Sequence, residues 1–211
     1  MIYLILTASL TAPSEWSANG ARREQEYRDA ISHTLGHLPD GIQPILVENN
    51  GLRTTWLNQI LHRGTPVPVV YTSHQALPVH KAVKEMLDVR AAIQEHGIRE
   101  EDWVIKLTGR YSLRGSELLD KVLRAHTEWD AMVKFYNGVT RQREWGDCIL
   151  GCYAIRVSAL KLFSPYSMDH TVYSPEQVFA RYLRVSGLRV HEMDTLGVRC
   201  IFSDTGISLD V

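Results

Sequence analysis

Short hydrophobic runs alternate with longer amphipathic segments along the whole chain. Several of the short runs are apolar on both alternations, which is typical of strands in a sheet that is covered on both faces. These predicted strands cover residues 2–7, 42–47, 68–71, 103–107, 131–136, 148–155 and 198–202.

The segments between the strands carry the period of a helix. The clearest one places Ala82, Met86, Val89 and Ile93 at three- and four-residue steps, and Gly97 follows as a stop signal. Alternation of strands and helices predicts an α/β, Rossmann-like domain with a central, mostly parallel mixed sheet of about six or seven strands flanked by helices. The predicted helices cover residues 22–35, 54–61, 79–95, 116–126, 157–163 and 175–185.

Length and composition narrow the class of protein. A chain of 211 residues with 45% hydrophobic and 22% charged residues is an ordinary globular chain, so disordered, collagen-like and coiled-coil structures are excluded. We expect a single domain over residues 1–211, which leaves open whether a longer protein continues beyond it. The net charge of -1 provides no overall basic field, so nucleic acid is not an expected partner.

The cysteines and the apolar start indicate the setting. Cys148, Cys152 and Cys200 are odd in number and lack zinc-ligand spacing, so neither a disulfide framework nor a zinc site is expected. The apolar start is too short for a membrane helix and no basic residue precedes it, so it predicts a first strand. A cytoplasmic protein without an intrinsic membrane segment is therefore expected.

Polar residues follow the predicted strands, where ligands bind in open α/β sheets. The most informative group is Thr108, Gly109, Arg110 and Tyr111. Arg110 has two open interpretations: its guanidinium binds phosphate in a bidentate manner, or it pairs with a carboxylate on a neighbouring loop. The other residues of this rim are Thr7, Ala8, Ser9, Glu48, Asn49, Asn50, Gly51, Thr72, Ser73 and His74.

Two further groups have both a structural and a functional interpretation. Asn50 and Gly51 form a preferred turn pair, which by itself explains the loop after the second strand. Lys81, Glu85 and Asp88 share one face of their predicted helix. That face is either solvated, or it brings Lys81 towards a phosphate.

The segment around residue 175 combines a helix start with candidate chemistry. Ser174 and Pro175 are typical of the N-cap and first helical position, and Glu176 in the first turn is stabilised as an anion by the helix dipole. Glu176 is therefore either a capping residue or a group that accepts a proton at neutral pH. Asp169 and His170 precede it in a loop that could close over a site, and His170 is a candidate for acid/base chemistry.

Several catalytic motifs are absent from the sequence. The chain has no G-x-G-x-x-G, no Walker loop, no G-x-S-x-G and no H-E-x-x-H. These absences argue against dinucleotide oxidoreductases, P-loop kinases, serine hydrolases and zincins.

Six stretches in order along the chain resemble a family of small glycosyltransferases. The most specific is Val-Ile-Lys-Leu-Thr-Gly-Arg-Tyr at residues 104–111, and the others are at residues 1–7, 45–51, 81–90, 147–154 and 174–177. The resemblance is to the domains with which chloroviruses, other large DNA viruses and some bacteria build surface glycans. It implies a GT-A fold, and for a viral protein the host cytoplasm as its location.

The resemblance also implies partners and roles. The donor would be a UDP-sugar, and the acceptor a hydroxyl of a growing surface or capsid glycan or glycoprotein, with the chain acting as a hexosyl- or deoxyhexosyltransferase. Glu176 would be the general base of an inverting reaction. In the donor site, Thr7 and Ala8 would lie beside the uridine, Glu48 and Asn49 near the nucleoside, Lys81 and Lys84 near the diphosphate, and Thr108, Gly109 and Arg110 at the usual metal-binding position.

The sequence departs from the family at that last position. The family normally offsets the diphosphate charge with Mn2+ or Mg2+ held by Asp-x-Asp, and this chain has no such motif after the fourth predicted strand. Two alternatives stay open: another carboxylate such as Asp88 or Asp194 serves the metal, or Arg110 and the lysines replace it.

Two other functions are compatible with the same layout. A sugar-phosphate nucleotidyltransferase would begin with a Gly-rich, basic loop after the first strand, whereas residues 7–13 contain neither glycine nor lysine. A non-catalytic module that binds a nucleotide or glycan is the second alternative.

Overall fold

A seven-stranded sheet forms the centre of the molecule, in the order β10-β8-β9-β6-β1-β2-β5. The computed structural model describes residues 1–10, 18–169, 172–201 and 208–211. The strands are β1 (Ile2–Ala8), β2 (Ile42–Glu48), β3 (Leu61–His62), β4 (Thr65–Pro66), β5 (Val69–Tyr71), β6 (Trp103–Thr108), β7 (Ser112–Leu113), β8 (Ala131–Val133), β9 (Cys152–Arg156), β10 (Val190–Glu192), β11 (Val198–Ile201) and β12 (Ser208–Asp210).

The central sheet is parallel except for β9, which runs antiparallel to both of its neighbours, β6 and β8. Strands β5, β2, β1 and β6 are consecutive parallel neighbours, so their carboxyl ends meet at one edge. The predicted α/β class, with a mostly parallel mixed sheet of six or seven strands flanked by helices, is confirmed.

Helices cover both faces of this sheet. They are α1 (Ala18–Gly36), α2 (Lys81–Glu95), α3 (Glu117–Ala125), α4 (Val157–Leu162) and α5 (Pro175–Val185). Alternate side chains of β1 point to opposite faces: Leu4 and Leu6 belong to the core with α1 and α3, and Tyr3 and Ile5 to the core with α2, α4 and α5. Burial of apolar area on both faces is the main source of stability.

The helix ends follow the signals in the sequence. At the start of α5 the Ser174 hydroxyl accepts a hydrogen bond from the Gln177 N–H at 3.2 Å, and the Gln177 side chain accepts one from the Ser174 N–H at 3.1 Å. This capping box confirms the predicted start at Pro175. Gly97 follows α2 with φ of 58°, as its role as a stop requires.

Three predicted elements differ in the structure. The predicted helix over 54–61 is one 3-10 turn at Trp56–Gln59, and Leu61 then begins the hairpin β3-β4, which Gly64 closes with φ of 76°. The predicted strand over 148–155 begins only at Cys152. The last predicted strand, β11, pairs with β7 and β12 in a separate three-stranded sheet rather than in the central one, because its partners lie beyond the end of β6.

None of the helices in the described ranges combines the length and apolarity that crossing a membrane requires.

Candidate active site

The carboxyl ends of β1, β2 and β6 bring most of the predicted donor-binding residues together. Thr7 is paired with Thr108 and Ala8 with Glu48 in the sheet register. Beyond the strands, the Gly109 N–H donates to the Thr7 carbonyl oxygen at 2.8 Å, and the Asn49 N–H donates to that of Ala8 at 3.2 Å. One continuous edge therefore carries seven of the nine predicted donor residues, namely Thr7, Ala8, Glu48, Asn49, Thr108, Gly109 and Arg110.

Gly109 allows the closest approach at this edge. A Cβ on Gly109 would lie 2.8 Å from the Thr7 carbonyl oxygen and 3.2 Å from the Tyr27 ring. The Tyr27 hydroxyl in turn accepts a hydrogen bond from the Ser9 N–H at 3.2 Å. The turn after β6 thus needs a residue without a side chain because it packs against β1 and α1.

Glu48 is buried beneath the loop rather than presented on it. Its carboxylate has no exposed surface and accepts hydrogen bonds from the Leu10 N–H at 3.0 Å and the Asn50 N–H at 3.2 Å. Burial raises the pKa of Glu48 to about 7, although these N–H groups and Arg53 act in the opposite direction. In the absence of a ligand, Glu48 therefore holds the β1 and β2 loops together.

Asp88 has a similar structural role on the other side of Asn49. Its buried carboxylate accepts hydrogen bonds from the Asn49 amide at 2.9 Å and the Thr72 hydroxyl at 2.7 Å, and lies 2.7 Å from His74 Nδ1. Burial raises the pKa of Asp88, and these three hydrogen bonds oppose the shift. Asp88 fixes the loops after β2 and β5 to α2.

A buried lysine, which the sequence reasoning overlooked, lies in the strand before Thr108. The Lys106 ammonium is 2.5 Å from a Glu85 carboxylate oxygen and 2.7 Å from the Thr108 hydroxyl. Burial favours the neutral form of Glu85, but Lys106 outweighs that effect and lowers the pKa of Glu85. A charge inside an otherwise apolar strand was the signal that could have found it.

Lys81, Lys84 and Asp169 are placed together at the beginning of α2. The Lys84 ammonium donates to the Gln75 carbonyl oxygen at 2.8 Å, and the Asp169 carboxylate accepts a hydrogen bond from the His80 N–H at 2.7 Å. Helix α2 packs on one face of the sheet and α1 on the other. Lys81 and Lys84 on α2 therefore lie across the sheet from Glu26 on α1, which pairs with Arg110. Asp169 thus contacts the α2 start, and His170 lies outside the described residues.

Glu176 lines a cleft of about 570 Å³ that continues from the turn after β6. Tyr111 and Asp147 line the same cleft as the half-buried Glu176. Backbone from the loop before β9, including Leu150 and Gly151, forms another wall. The cleft lies beside the end of β6, because the carbonyl oxygen of its Gly151 wall accepts a hydrogen bond from the Thr108 N–H at 2.9 Å. The seven donor residues at the sheet edge do not themselves line it.

Asp147 is the second carboxyl group of the cleft and was not among the predicted catalytic residues. It is 8% exposed, and its carboxylate accepts a hydrogen bond from the Cys148 N–H at 2.8 Å. Burial raises the pKa of Asp147 to about 6, and the negative charge of Glu176 contributes to the increase. The Cys148 thiol donates to the Glu176 carbonyl oxygen at 3.3 Å, which ties this loop to α5.

The described residues provide no cluster of three His, Cys, Asp or Glu side chains that could hold a metal ion. The two alternative carboxylates do not supply one: Asp88 is occupied by Asn49, Thr72 and His74, and exposed Asp194 lies beside Lys134 and Glu117 in another depression. Within the part of the chain with coordinates, Asp88 and Asp194 therefore do not build a metal site from protein ligands, whereas Mg2+ bound mainly through substrate phosphates would need only one or two carboxylates. Cys148, Cys152 and Cys200 are buried free thiols.

Comparisons by sequence do not identify a family. No protein-family model matches the chain, and no curated protein matches it. Evidence of relationship therefore comes from structure alone.

Solved structures share the fold at low sequence identity. A protein described as a nucleotide-diphospho-sugar transferase from Desulfovibrio desulfuricans aligns with a TM-score of 0.60 and 12% identity over 91% of this chain and 79% of its own. A mannosyltransferase from Pyrobaculum calidifontis, solved with GDP-Man and Mn2+, aligns with a TM-score of 0.54 and 13% identity. The bifunctional IspDF from Campylobacter jejuni aligns with a TM-score of 0.52 and 11% identity.

The last two alignments each cover 91% of this chain, which spans 54% of the mannosyltransferase and 49% of IspDF. The TM-scores demonstrate a shared architecture, whereas at identities this low the function must be argued from the site. Together with the sheet order, the alignments show that the chain shares its α/β fold with these solved structures.

Proposed function

We propose that the protein is a glycosyltransferase that moves a sugar from a UDP-sugar to a hydroxyl of a growing glycan, with inversion at the anomeric carbon. The observation that carries the proposal is the position of Glu176 and Asp147 in one cleft beside the carboxyl edge of β1 and β6. This arrangement provides a proton acceptor next to the place where ligands bind in open α/β sheets.

The reaction is a single displacement. The acceptor hydroxyl enters the cleft and its oxygen attacks the anomeric carbon, while the bond from that carbon to the diphosphate oxygen breaks. Glu176 takes the hydroxyl proton, and the nucleotide leaves with the electron pair of the broken bond. Glu176 at the first turn of α5 is suited to this step because the helix dipole stabilises its anionic form.

Below about pH 6, Asp147 keeps the cleft from holding two full negative charges. Its pKa of about 6, raised by burial and by Glu176, means that a proton is retained on Asp147 in mildly acidic solution. The Cys148 thiol, next to Asp147 in the chain, donates to the Glu176 carbonyl oxygen at 3.3 Å and so fixes the Asp147 loop against the first turn of α5. Asp147 is therefore a positioning residue for Glu176 and its acceptor hydroxyl.

The donor occupies the edge formed by Thr7, Ala8, Asn49 and the turn at Gly109. Its uridine lies beside the β1 and β2 ends, and its diphosphate near Thr108 and Arg110, with Lys81 and Lys84 reached from the α2 side. A metal ion, where one takes part, would polarise the diphosphate as a Lewis acid. The fixed cations of this chain offset the same charge from their own positions.

The surface or capsid glycan as acceptor, and a viral or bacterial source for it, rest on the resemblance of the sequence stretches alone. A cytoplasmic location belongs to the same proposal. The donor residues are supported by their convergence on one edge.

The test is to identify both the bound nucleotide and the released product. Thermal unfolding should shift upward with UDP and UDP-sugars more than with GDP, CMP and their sugars, with and without Mn2+. Incubation of UDP-sugars with the protein should release UDP. Release of pyrophosphate from UTP and a sugar phosphate would instead identify a nucleotidyltransferase, and tight UDP binding without any turnover would identify a binding module.

A further inference from the structure

Arg110 is a buried cation with too few partners. It is 7% exposed, and within the described ranges its charge partner is Glu26, whose carboxylate oxygen is 3.6 Å from the nearest guanidinium nitrogen. That separation is too long for a hydrogen bond, and the Arg110 Nε has no partner either. Because a guanidinium carries five N–H donors, leaving them unpaired in the interior is costly.

A second guanidinium faces the same aromatic ring. Arg23 lies one turn before Tyr27 on α1, and its Cζ is 5.9 Å from the centroid of the Tyr27 ring. The Arg110 Cζ lies 5.9 Å from the same centroid, so the two guanidiniums cannot be farther apart than the sum of these distances. The Arg23 Nε is also buried without a hydrogen-bond partner.

The two arginines lie at the carboxyl edge of the sheet. Tyr27 packs against Gly109, and its hydroxyl accepts a hydrogen bond from the Ser9 N–H, so the ring beside both arginines is fixed to the ends of β6 and β1. The buried and unpaired Nε atoms of Arg23 and Arg110 therefore belong to two side chains beside one fixed ring.

The local charge is positive. Glu26 is shared between Arg22, whose Nε is 3.0 Å from one carboxylate oxygen, and Arg110 on the other oxygen. The group thus contains three guanidiniums, those of Arg22, Arg23 and Arg110, and one carboxylate, that of Glu26. The charge of Glu85, which also acts on Arg110, is already paired with Lys106 at 2.5 Å. An anion with several oxygen atoms fits these donors, since guanidinium groups bind phosphate in a bidentate manner.

We infer that Arg23 and Arg110 form a diphosphate-binding pair, with Glu26 as the counter-ion that Arg110 leaves when the anion binds. The identification of this anion as the diphosphate of the nucleotide-sugar rests on the proposed function. In that setting the arginine pair stabilises the departing nucleotide from the α1 side of the sheet, and no bond is made or broken by the arginines.

The test uses inorganic pyrophosphate, UDP and uridine as probes in titration calorimetry of the intact protein. Arg23→Gln should weaken pyrophosphate and UDP binding roughly tenfold or more and leave uridine binding unchanged, because a charge-assisted hydrogen bond is lost. Glu26→Gln should tighten pyrophosphate binding several-fold. Arg28→Gln is the matched control, since Arg28 lies on the same helix but pairs with Glu24 at 2.6 Å.

Unchanged pyrophosphate affinity in Arg23→Gln would overturn the inference, and so would a Glu26→Gln protein that binds it more weakly. Arg23 is partly exposed, so its replacement should leave the folded state intact, as thermal unfolding beside Arg28→Gln can establish. The two proposals can fail separately. If pyrophosphate binding depends on Arg23 but the protein transfers no sugar, only the transferase proposal is contradicted. If the protein transfers sugar and Arg23→Gln does not affect the transfer, only this inference is contradicted.

Discussion

Asp147 and Glu176 line the same cleft, and the charge of Glu176 adds to the burial that raises the pKa of Asp147 to about 6. The two residues come from the loop before β9 and the first turn of α5, and the contact of the Cys148 thiol with the Glu176 carbonyl oxygen links these segments. Coupling of this kind is common at sites that transfer protons.

Glu176→Gln should lower kcat for sugar transfer by roughly 100- to 10,000-fold, the usual contribution of a general base. The KM for the donor should change little because the amide keeps the shape of the side chain. Steady-state kinetics with a circular dichroism spectrum of the variant measure this. The matched control is Glu100→Gln, which makes the same chemical change at an exposed ion pair. Gln177→Glu is unsuitable as a control because the Gln177 side chain is part of the cap of α5.

The pH dependence of kcat should show an acidic limb with an apparent pKa near 6. Activity should rise as Asp147 loses its proton, because a second negative charge in the cleft favours transfer of the hydroxyl proton to a carboxylate. Asp147→Asn removes this titration, so the limb should move to lower pH. A profile of the variant that coincides with the profile of the original protein would show that Asp147 does not govern the limb.

Glu48 makes stability depend on pH. Its pKa is about 7 in the folded protein against 4.5 for the free side chain, so its contribution to stability is full below pH 4.5 and is lost as the pH rises towards 7. The loss is on the order of 3 kcal/mol. Urea unfolding at pH 5 and pH 8 should show a smaller difference for Glu48→Gln than for the original protein; equal differences would contradict the assigned pKa.

Lys106→Met should destabilise the protein by about 3 kcal/mol, because it leaves Glu85 without its cation. Glu85 is 33% exposed, which limits the loss. Replacing both Lys106 and Glu85 by Met should recover much of the lost stability, because no charge is then left without its partner. Lys161→Met provides a control at an exposed pair with Glu100 and should cost less than about 1 kcal/mol in urea unfolding.

Gly109→Ala should destabilise the protein by roughly 1–3 kcal/mol, since the new methyl group overlaps the Thr7 carbonyl oxygen and the Tyr27 ring. It should also raise the KM for the donor by displacing the turn that carries Arg110. Gly36→Ala places its methyl group in open space and is the matched control. Equal stability of the two variants would contradict the close approach at Gly109.

Hydrophobic period predicted the fold because both faces of the sheet are buried, and the capping box at Ser174 is local, so the start of α5 could be read directly. Sheet partners are not local: nothing in the run at Val198 shows that it leaves the central sheet for β7. The 3-10 turn at Trp56 was predicted as a helix because its apolar spacing over so few residues suits either structure.

The donor edge could be predicted in outline because polar residues follow each parallel strand. The sequence could not predict which of these residues are exposed. Glu48 is fully buried and Arg110 packs against α1, and both facts depend on contacts between distant segments. Asp147 is missed because the apolar run from Cys148 predicts a strand, whereas the chain forms a loop there until β9 begins at Cys152, and that loop lines the cleft. The roles of all these residues in catalysis stay predictions.

The most direct test of the account is UDP release from a panel of UDP-sugars by the original protein and by Glu176→Gln, measured with and without a hydroxyl acceptor such as a short oligosaccharide. The account predicts UDP release that the acceptor stimulates and that Glu176→Gln reduces at least 100-fold. Equal release by the two proteins, with Glu176→Gln folded and UDP bound, would contradict the assignment of Glu176 as the base.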